Sequence, residues 1–170
     1  MVKSVWFSAW QDIYDLVEAQ SGKQIFSNSH VLLKDRDFLI LYKIANEIEG
    51  DSFLIQTNKE TLKFPLNITL CKVDNIVEST NNTIFVDEEK LQFPLEIRKK
   101  KEGDYFYPAG MDGKKKLSKY FKDEKYSLLD KENQWLLTSN DKIVWVIGKR
   151  ADKSFLAHTK TKNILKIEML

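Results

Sequence analysis

The chain has 170 residues, of which 42% are hydrophobic, and it includes four tryptophans. This is enough for one substantial core, or for one domain and part of another. No stretch approaches the roughly 20 apolar residues of a membrane span, and the N-terminus lacks the pattern of a signal peptide, so we expect a soluble, cytoplasmic protein. The single cysteine, Cys71, excludes an internal disulfide bond and a metal site with several thiolate ligands.

The first predicted element is an amphipathic helix over residues 8–20. Ser8 followed by Gln11 forms a capping box at its start. Apolar residues then recur with helical spacing at Trp10, Ile13, Tyr14 and Val17. Gly22 is placed to end this helix.

From residue 24 the pattern changes to that of short antiparallel strands. Apolar runs bounded by turn-forming residues predict strands at 38–42, 53–55, 68–73, 84–86, 134–137, 142–147 and 164–168. A second helix is predicted from Lys114 through Phe121, with Leu117, Tyr120 and Phe121 on one face and lysines on the other. The expected fold class is α+β: an N-terminal amphipathic helix, then a compact, sandwich-like, mostly antiparallel β-rich domain that carries a basic helix.

Charge is concentrated in one part of the chain. From Arg98 to Lys125 there are 10 basic and 5 acidic residues, a balance of +5, whereas the remainder has 17 basic and 20 acidic residues, a balance of −3. A localised basic surface predicts contact with phosphates. Lys114, Lys115 and Lys116 fall in the first turn of the predicted helix, where the helix dipole disfavours cations and would suit a bound phosphate. The alternative is that these lysine runs are simply solvated surface.

Other candidate sites are less favoured. The two histidines, His30 and His158, have no cysteine or acidic neighbour at metal-ligand spacing, so we expect no zinc site. Cys71 lies in an alternating strand-like run, which favours a packed residue over a nucleophile. No convergent catalytic set is found, and we expect no catalytic residue in this chain.

A long composite motif overlaps the basic region. Its elements, in order, are Leu95-Glu96-Ile97-Arg98, the run 101–108 (KEGDYFYP), Gly110-Met111, Gly113-Lys114-Lys115, Leu117-Ser118 and the run 143–148 (IVWVIG). In this order and spacing the chain resembles the C-terminal domain of the bacterial tRNA(Ile)-lysidine synthetases, most strongly over residues 93–150. Residues 19–23 and 33–37 resemble the junction that leads into that domain. The resemblance implies that residues 1–23 end a helical middle region and that residues 24–170 form the C-terminal domain.

The family joins lysine to the wobble cytidine of a tRNA(Ile) precursor in an ATP-dependent reaction, which changes codon reading from AUG to AUA. Its chemistry belongs to an N-terminal domain with a Ser-Gly-Gly-x-Asp-Ser loop, and this chain has no such loop. The other phosphate-loop pattern also fails, because Pro108 stands where its first glycine is needed. We therefore expect a non-catalytic C-terminal part without a cofactor of its own, with ATP and magnesium belonging to the full-length enzyme and the catalytic half preceding Met1.

The resemblance also implies contact with the tRNA towards its acceptor stem. The matching positions are Arg98, Lys114 and Lys115, and the helix projection adds Lys116, Lys119, Lys122 and Lys125 as candidate tRNA-binding residues. The aromatic run 105–107 could stack on bases or pack in the core, and packing is favoured. The expected partners are the tRNA(Ile) precursor and the catalytic domain of the same protein, with no membrane, while a homodimer through the first helix is left open. The rival functions are a protein-interaction module whose basic face docks an acidic partner, and a stand-alone enzyme.

Overall fold

The computed structural model describes residues 9–43, 52–58 and 60–170. The chain divides into two compact units, one of residues 1–49 with 127–129, and one of residues 50–126 with 130–170. The domain boundary that the sequence analysis drew after residue 23 therefore falls inside the first unit, between its helix and its sheet. Among the described residues, no helix is long and apolar enough to cross a membrane.

The first unit consists of one helix and a three-stranded antiparallel sheet. Helix α1 spans Ala9–Val17, and strands β1 (Gln24–Phe26), β2 (His30–Asp35) and β3 (Phe38–Lys43) pair in the order β1-β2-β3. The helix and β3 confirm predicted elements, whereas Ser8 of the expected capping box lies outside the described residues. Gly22 does not end the helix: it lies five residues beyond Val17 with φ +99°, and its N–H donates to the Lys34 carbonyl at 2.7 Å.

The apolar stripe predicted for α1 is not its buried side. Leu16 is buried, as are Val31 and Leu33 of β2, whereas Trp10 and Tyr14 are 64% and 71% exposed. Helical spacing alone therefore identified the helix correctly, but it did not identify the face that the sheet covers.

The second unit contains two larger antiparallel sheets. The five-stranded sheet has the order β13-β12-β11-β8-β4 and consists of β4 (Ser52–Ile55), β8 (Leu95–Arg98), β11 (Leu136–Ser139), β12 (Lys142–Val146) and β13 (Arg150–Ala151). The four-stranded sheet has the order β5-β6-β14-β7 and consists of β5 (Thr61–Leu62), β6 (Ile68–Val73), β7 (Thr83–Asp87) and β14 (Ile164–Met169). A 3-10 helix, Glu88–Lys90, follows β7.

The main core lies between these two sheets. Ile97 and Trp145 of the five-stranded sheet belong to the same buried cluster as Leu70, Ile84 and Leu165 of the four-stranded sheet. Alternate residues of β14 show the same arrangement, because Leu165 and Ile167 are buried while Lys166 between them is partly exposed. The sandwich-like, mostly antiparallel α+β fold predicted from the sequence is confirmed.

A β-bulge in β12 changes which of its side chains point to each face of the five-stranded sheet. The register between β11 and β12 shifts between Leu137 and Thr138, so that one extra residue of β12 is accommodated. Val144 and Trp145 consequently both lie in the main core, while Ile143 and Val146 lie in a second cluster. A regular strand would have put Val144 and Trp145 on opposite faces.

Helix α2 (Leu117–Asp123) covers that second face. Its buried residues are Leu117, Tyr120 and Phe121, as the helix projection predicted, and they cluster with Ile143 and Val146. The short strands β9 (Tyr105–Phe106) and β10 (Lys115–Lys116) pair with each other just before α2, and a third helix, α3, spans Leu128–Asn133. The basic region thus lies on a helix and loop that are packed against a sheet.

Candidate nucleic-acid interface

The lysine run 114–116 does not form the first turn of a helix. Lys115 and Lys116 are extended and pair with Phe106 and Tyr105, and α2 begins only at Leu117. The N–H of Leu117 donates to the Asp104 carbonyl at 2.8 Å, so this first helical amide already has a partner. The prediction that the three lysines crowd a helical first turn is therefore wrong, because pairing with β9 holds the run in an extended conformation.

Two lysines of this run already engage protein groups. The Lys114 ammonium lies 3.3 Å from the centroid of the Tyr105 ring. The Lys115 ammonium donates to the Asp123 carboxylate at 2.8 Å, and this hydrogen bond lowers the pKa of Asp123. An RNA phosphate would have to compete with these contacts, so both lysines are weaker candidates than their position in the motif implied.

Three other lysines are exposed and form no ion pair with a residue that the structure describes. Lys116 precedes α2, and Lys119 and Lys122 follow it at intervals of three residues. Residues three apart in a helix are neighbours on its surface, so Lys119 and Lys122 adjoin on the side opposite the buried residues. We call Lys116, Lys119 and Lys122 the α2 lysine face. Lys125, after the end of α2, is also exposed and has other contacts of its own.

Arg98 is enclosed by the protein. Its side chain is 2% exposed, and its guanidinium forms two parallel hydrogen bonds to the Asp104 carboxylate at 2.8 and 2.9 Å. Burial by itself lowers the pKa of Arg98, but the hydrogen bonds and charge of Asp104 outweigh burial, and the pKa is raised. The guanidinium faces Asp104 and is closed off from solvent, so its burial argues against the predicted contact of Arg98 with tRNA.

The loop after β8 contributes two lysines that the sequence analysis did not name as site residues. Lys100 and Lys101 are exposed, and they line a groove together with Lys116 and Ser118 at the beginning of α2. The run 99–101 was visible as part of the charge imbalance. Its place beside α2 was not, since no periodicity relates a loop to a helix that begins 16 residues later.

Lys99 belongs to a different surface from its two neighbours. Its ammonium donates to the Asn133 carbonyl at 2.7 Å and lies 3.9 Å from the centroid of the Trp135 ring. Burial lowers the pKa of Lys99. Of these three consecutive lysines, Lys99 therefore has a structural role, whereas Lys100 and Lys101 face the groove.

Only the middle residue of the aromatic run 105–107 is part of the buried core. Phe106 is 1% exposed and makes an edge-to-face contact with Tyr120, with ring centroids 5.1 Å apart. Tyr105 and Tyr107 are 43% and 37% exposed. The packing interpretation is confirmed for Phe106, while stacking of RNA bases on the two tyrosines stays a prediction.

Within the described ranges, no group of three or more His, Cys, Asp or Glu side chains is arranged to hold a metal ion. Cys71 is a free, partly buried thiol in β6. His30 contacts the Ser29 hydroxyl at 2.9 Å, and His158 accepts from the Lys160 amide at 3.2 Å.

Two family models match the chain. One described as "TilS substrate binding domain" matches residues 1–44, and one described as "TilS substrate C-terminal domain" matches residues 95–169. The chain is 39% identical over 163 residues to the tRNA(Ile)-lysidine synthase of Parabacteroides distasonis, and 36% identical over 155 residues to that of Bacteroides thetaiotaomicron. These alignments cover 94% and 91% of the chain but only 37% and 34% of the relatives, so the chain spans about a third of their length.

The fold has a counterpart among solved structures. A structure described as "Crystal structure of TILS C-terminal domain" superposes with a TM-score of 0.58 at 20% sequence identity. The superposition covers 69% of this chain and 95% of that one. At this identity the likeness concerns the fold alone, and the relatives above carry the relationship in sequence.

Proposed function

Because the chain belongs to the tRNA(Ile)-lysidine synthase family, as its C-terminal part, we propose that it recognises tRNA on behalf of a ligase that joins lysine to the wobble cytidine of a tRNA(Ile) precursor. The catalytic domain of the same protein supplies the chemistry, with ATP and magnesium, and this part is non-catalytic. Because the proposed substrate is a tRNA precursor, we infer that the protein acts in the cytoplasm. The observation that carries the proposal is the exposed α2 lysine face next to the groove that Lys100 and Lys101 line.

The chemistry of this surface fits a folded RNA stem. Lysines act as point charges that hold phosphates, and a duplex stem presents phosphates and 2′-hydroxyls along its shallow minor groove. Such contacts give affinity and orientation more than base identity. We therefore assign the surface to positioning of the tRNA, with the acceptor stem as its target.

The buried side of α2 supports this assignment. Leu117, Tyr120 and Phe121 fix the helix against the five-stranded sheet, so the lysines on its outer side project from a rigid base. Because the backbone of the helix is already ordered, binding a phosphate costs only the conformational freedom of the lysine side chains themselves. The rival function is a module whose basic face docks an acidic protein or the catalytic domain. It would use the same charges, but it would show no selective binding of RNA.

Fluorescence anisotropy of this chain with a labelled tRNA(Ile) acceptor-stem hairpin tests the proposal. An unrelated RNA hairpin of equal length is the control, and both are titrated at two salt concentrations. We expect binding that prefers the tRNA hairpin and weakens steeply with salt, because lysine–phosphate contacts release counterions. Absence of binding at low salt would contradict an independent RNA-binding role, and equal binding to both hairpins would contradict selectivity for the acceptor stem.

A further inference from the structure

We infer that Arg98 and Asp104 are positioning residues for the RNA-binding surface: their buried ion pair fixes the loop that carries Lys100 and Lys101 beside the α2 lysine face. Neither residue touches the RNA in this arrangement. The inference rests on the proposed function, since it assigns the pair a role in phosphate binding that its burial alone would not suggest.

The contacts of the Arg98–Asp104 pair fix the relative orientation of the two side chains. The side chains of Arg98 and Asp104 are 2% and 10% exposed, and both guanidinium–carboxylate hydrogen bonds are short and parallel. Burial of two charges costs desolvation energy, and a well-packed apolar pair often serves stability as well or better. The planar guanidinium group, however, fixes the orientation of the carboxylate through two parallel hydrogen bonds, which an apolar contact cannot do.

Asp104 links this pair to both basic segments. Its carboxylate also accepts the Lys101 amide at 2.7 Å, which closes the loop that begins after Arg98. Its carbonyl accepts the Leu117 amide at 2.8 Å, at the start of α2. A third guanidinium hydrogen bond from Arg98, to the Lys99 carbonyl at 2.9 Å, holds the beginning of the loop. The side-chain pair therefore fixes the loop at two points, and the backbone carbonyl of Asp104 joins the loop to the basic helix.

The consequence is a groove lined by three lysines and by the single exposed carboxylate of Glu102. Lys100 and Lys101 lie on the loop side, and Lys116 lies on the helix side with Ser118. The contact of Lys101 with Asp141 is long, at 3.7 Å, and both side chains are exposed, so it contributes little to holding the loop. The ordering of this loop comes from Asp104.

Substitution Asp104→Asn separates positioning from simple electrostatics. It removes a negative charge, so attraction of RNA by net charge alone predicts tighter binding. Loss of the ion pair instead releases the loop, and we expect binding to the acceptor-stem hairpin to weaken about three- to tenfold at roughly 0.15 M salt. The slope of log affinity against log salt should become shallower by about 1 to 2, because Lys100 and Lys101 lose their fixed contacts.

Asp141→Asn is the matched control. It makes the same charge change beside Lys101; its charge acts on Arg98 from a distance, but its only ion pair among the described residues is the one with Lys101, so the Arg98–Asp104 hydrogen bonds stay in place. We expect equal or slightly tighter RNA binding for this variant. Arg98→Lys is a second test that leaves the net charge unchanged and removes the two-pronged contact, and it should weaken binding as Asp104→Asn does.

Limited trypsin digestion in the absence of RNA measures how accessible the loop is to cleavage. Cleavage after Lys100 and Lys101 should be several-fold faster in Asp104→Asn and Arg98→Lys than in the parent chain and Asp141→Asn, at a temperature where melting curves show all four folded. RNA binding by Asp104→Asn as tight as that of the parent would overturn the inference while leaving the proposed function intact. If Asp104→Asn does not fold, the RNA affinity of Arg98→Lys is used instead, and an affinity equal to that of the parent would overturn the inference. If the parent chain binds no RNA, the proposed function fails, and unchanged trypsin cleavage would also refute the ordering of the loop.

Discussion

Neutralising the α2 lysine face should remove most of the RNA affinity without affecting the fold. The triple substitution Lys116→Gln, Lys119→Gln, Lys122→Gln removes three exposed ammonium groups that form no ion pair with a described residue. Each lost phosphate contact reduces the slope of log affinity against log salt by about 0.9. Three contacts therefore reduce it by about 2.7, which corresponds to about a hundredfold weaker binding at roughly 0.15 M salt.

The assay is anisotropy with the acceptor-stem hairpin over a series of salt concentrations. The matched control replaces three exposed lysines outside the basic region by glutamine, at positions 63, 160 and 162, and so makes the same change in net charge. We expect the control to lose only a few-fold in affinity, because distant charges are screened at this ionic strength. A single Lys115→Gln substitution should also have a small effect, since Asp123 already engages that ammonium.

The melting temperature provides the structural readout. It should change little in the triple variant: Lys116 and Lys119 lie near the start of α2, where a cation is unfavourable by a few tenths of a kcal/mol, whereas Lys122 lies in its last turn, where a cation is favourable by a similar amount. An affinity equal to that of the parent chain, or a loss no larger than in the control, would refute the assignment of RNA binding to this face.

Three further predictions concern the fold and are measured by urea denaturation. Gly148→Ala should lower the free energy of unfolding by about 1–2 kcal/mol, because φ is +74° and the new Cβ would lie 3.2 Å from Met169 Cε; parent-like stability would contradict this. Trp145→Ala should cost about 3–5 kcal/mol, since the side chain is completely buried between the sheets, and a loss below about 1 kcal/mol would refute that packing. Burial alone raises the pKa of Glu88, but hydrogen bonds from Lys72 and Asn58 outweigh burial and hold the pKa below its ordinary 4.5. Glu88 therefore stabilises the fold above its unfolded pKa, and this contribution is lost as pH falls from 4.5 through the lowered pKa; Glu88→Gln should flatten this acid dependence, and an unchanged profile would refute it.

The helices and strands that depend on local patterns of residues could be predicted from the sequence. Periodicity predicted α1, the long strands β6 and β14, and the buried face of α2, because side-chain spacing along a helix or strand is a property of adjacent residues. The composite motif carried the family relationship in the same way. Short strands such as β9 and β10, with two residues each, were missed because such a segment shows no period.

The candidate site was only partly visible for the same reason. Sequence showed that positive charge is concentrated between residues 98 and 125, and helix geometry placed Lys119 and Lys122 on the outer side of α2. It could not show that Arg98 is buried, since residues of β8 face one side or the other according to their partners in β11. Nor could it distinguish Lys99, which contacts Trp135, from Lys100 and Lys101 beside it.

Only the tertiary structure decided which segments meet. Strand β14 lies between β6 and β7, and it pairs with residues that precede it by about 80 to 100 positions. The bulge in β12 similarly depends on β11, and it determines which side chains reach each face of the sheet. Asp104 closes its loop with its carboxylate, which accepts the Lys101 amide, and joins the loop to α2 with its carbonyl, which accepts the Leu117 amide. Such pairings are chosen by the free energy of the whole packed chain, in which a residue gains its partner only when distant segments have folded against it.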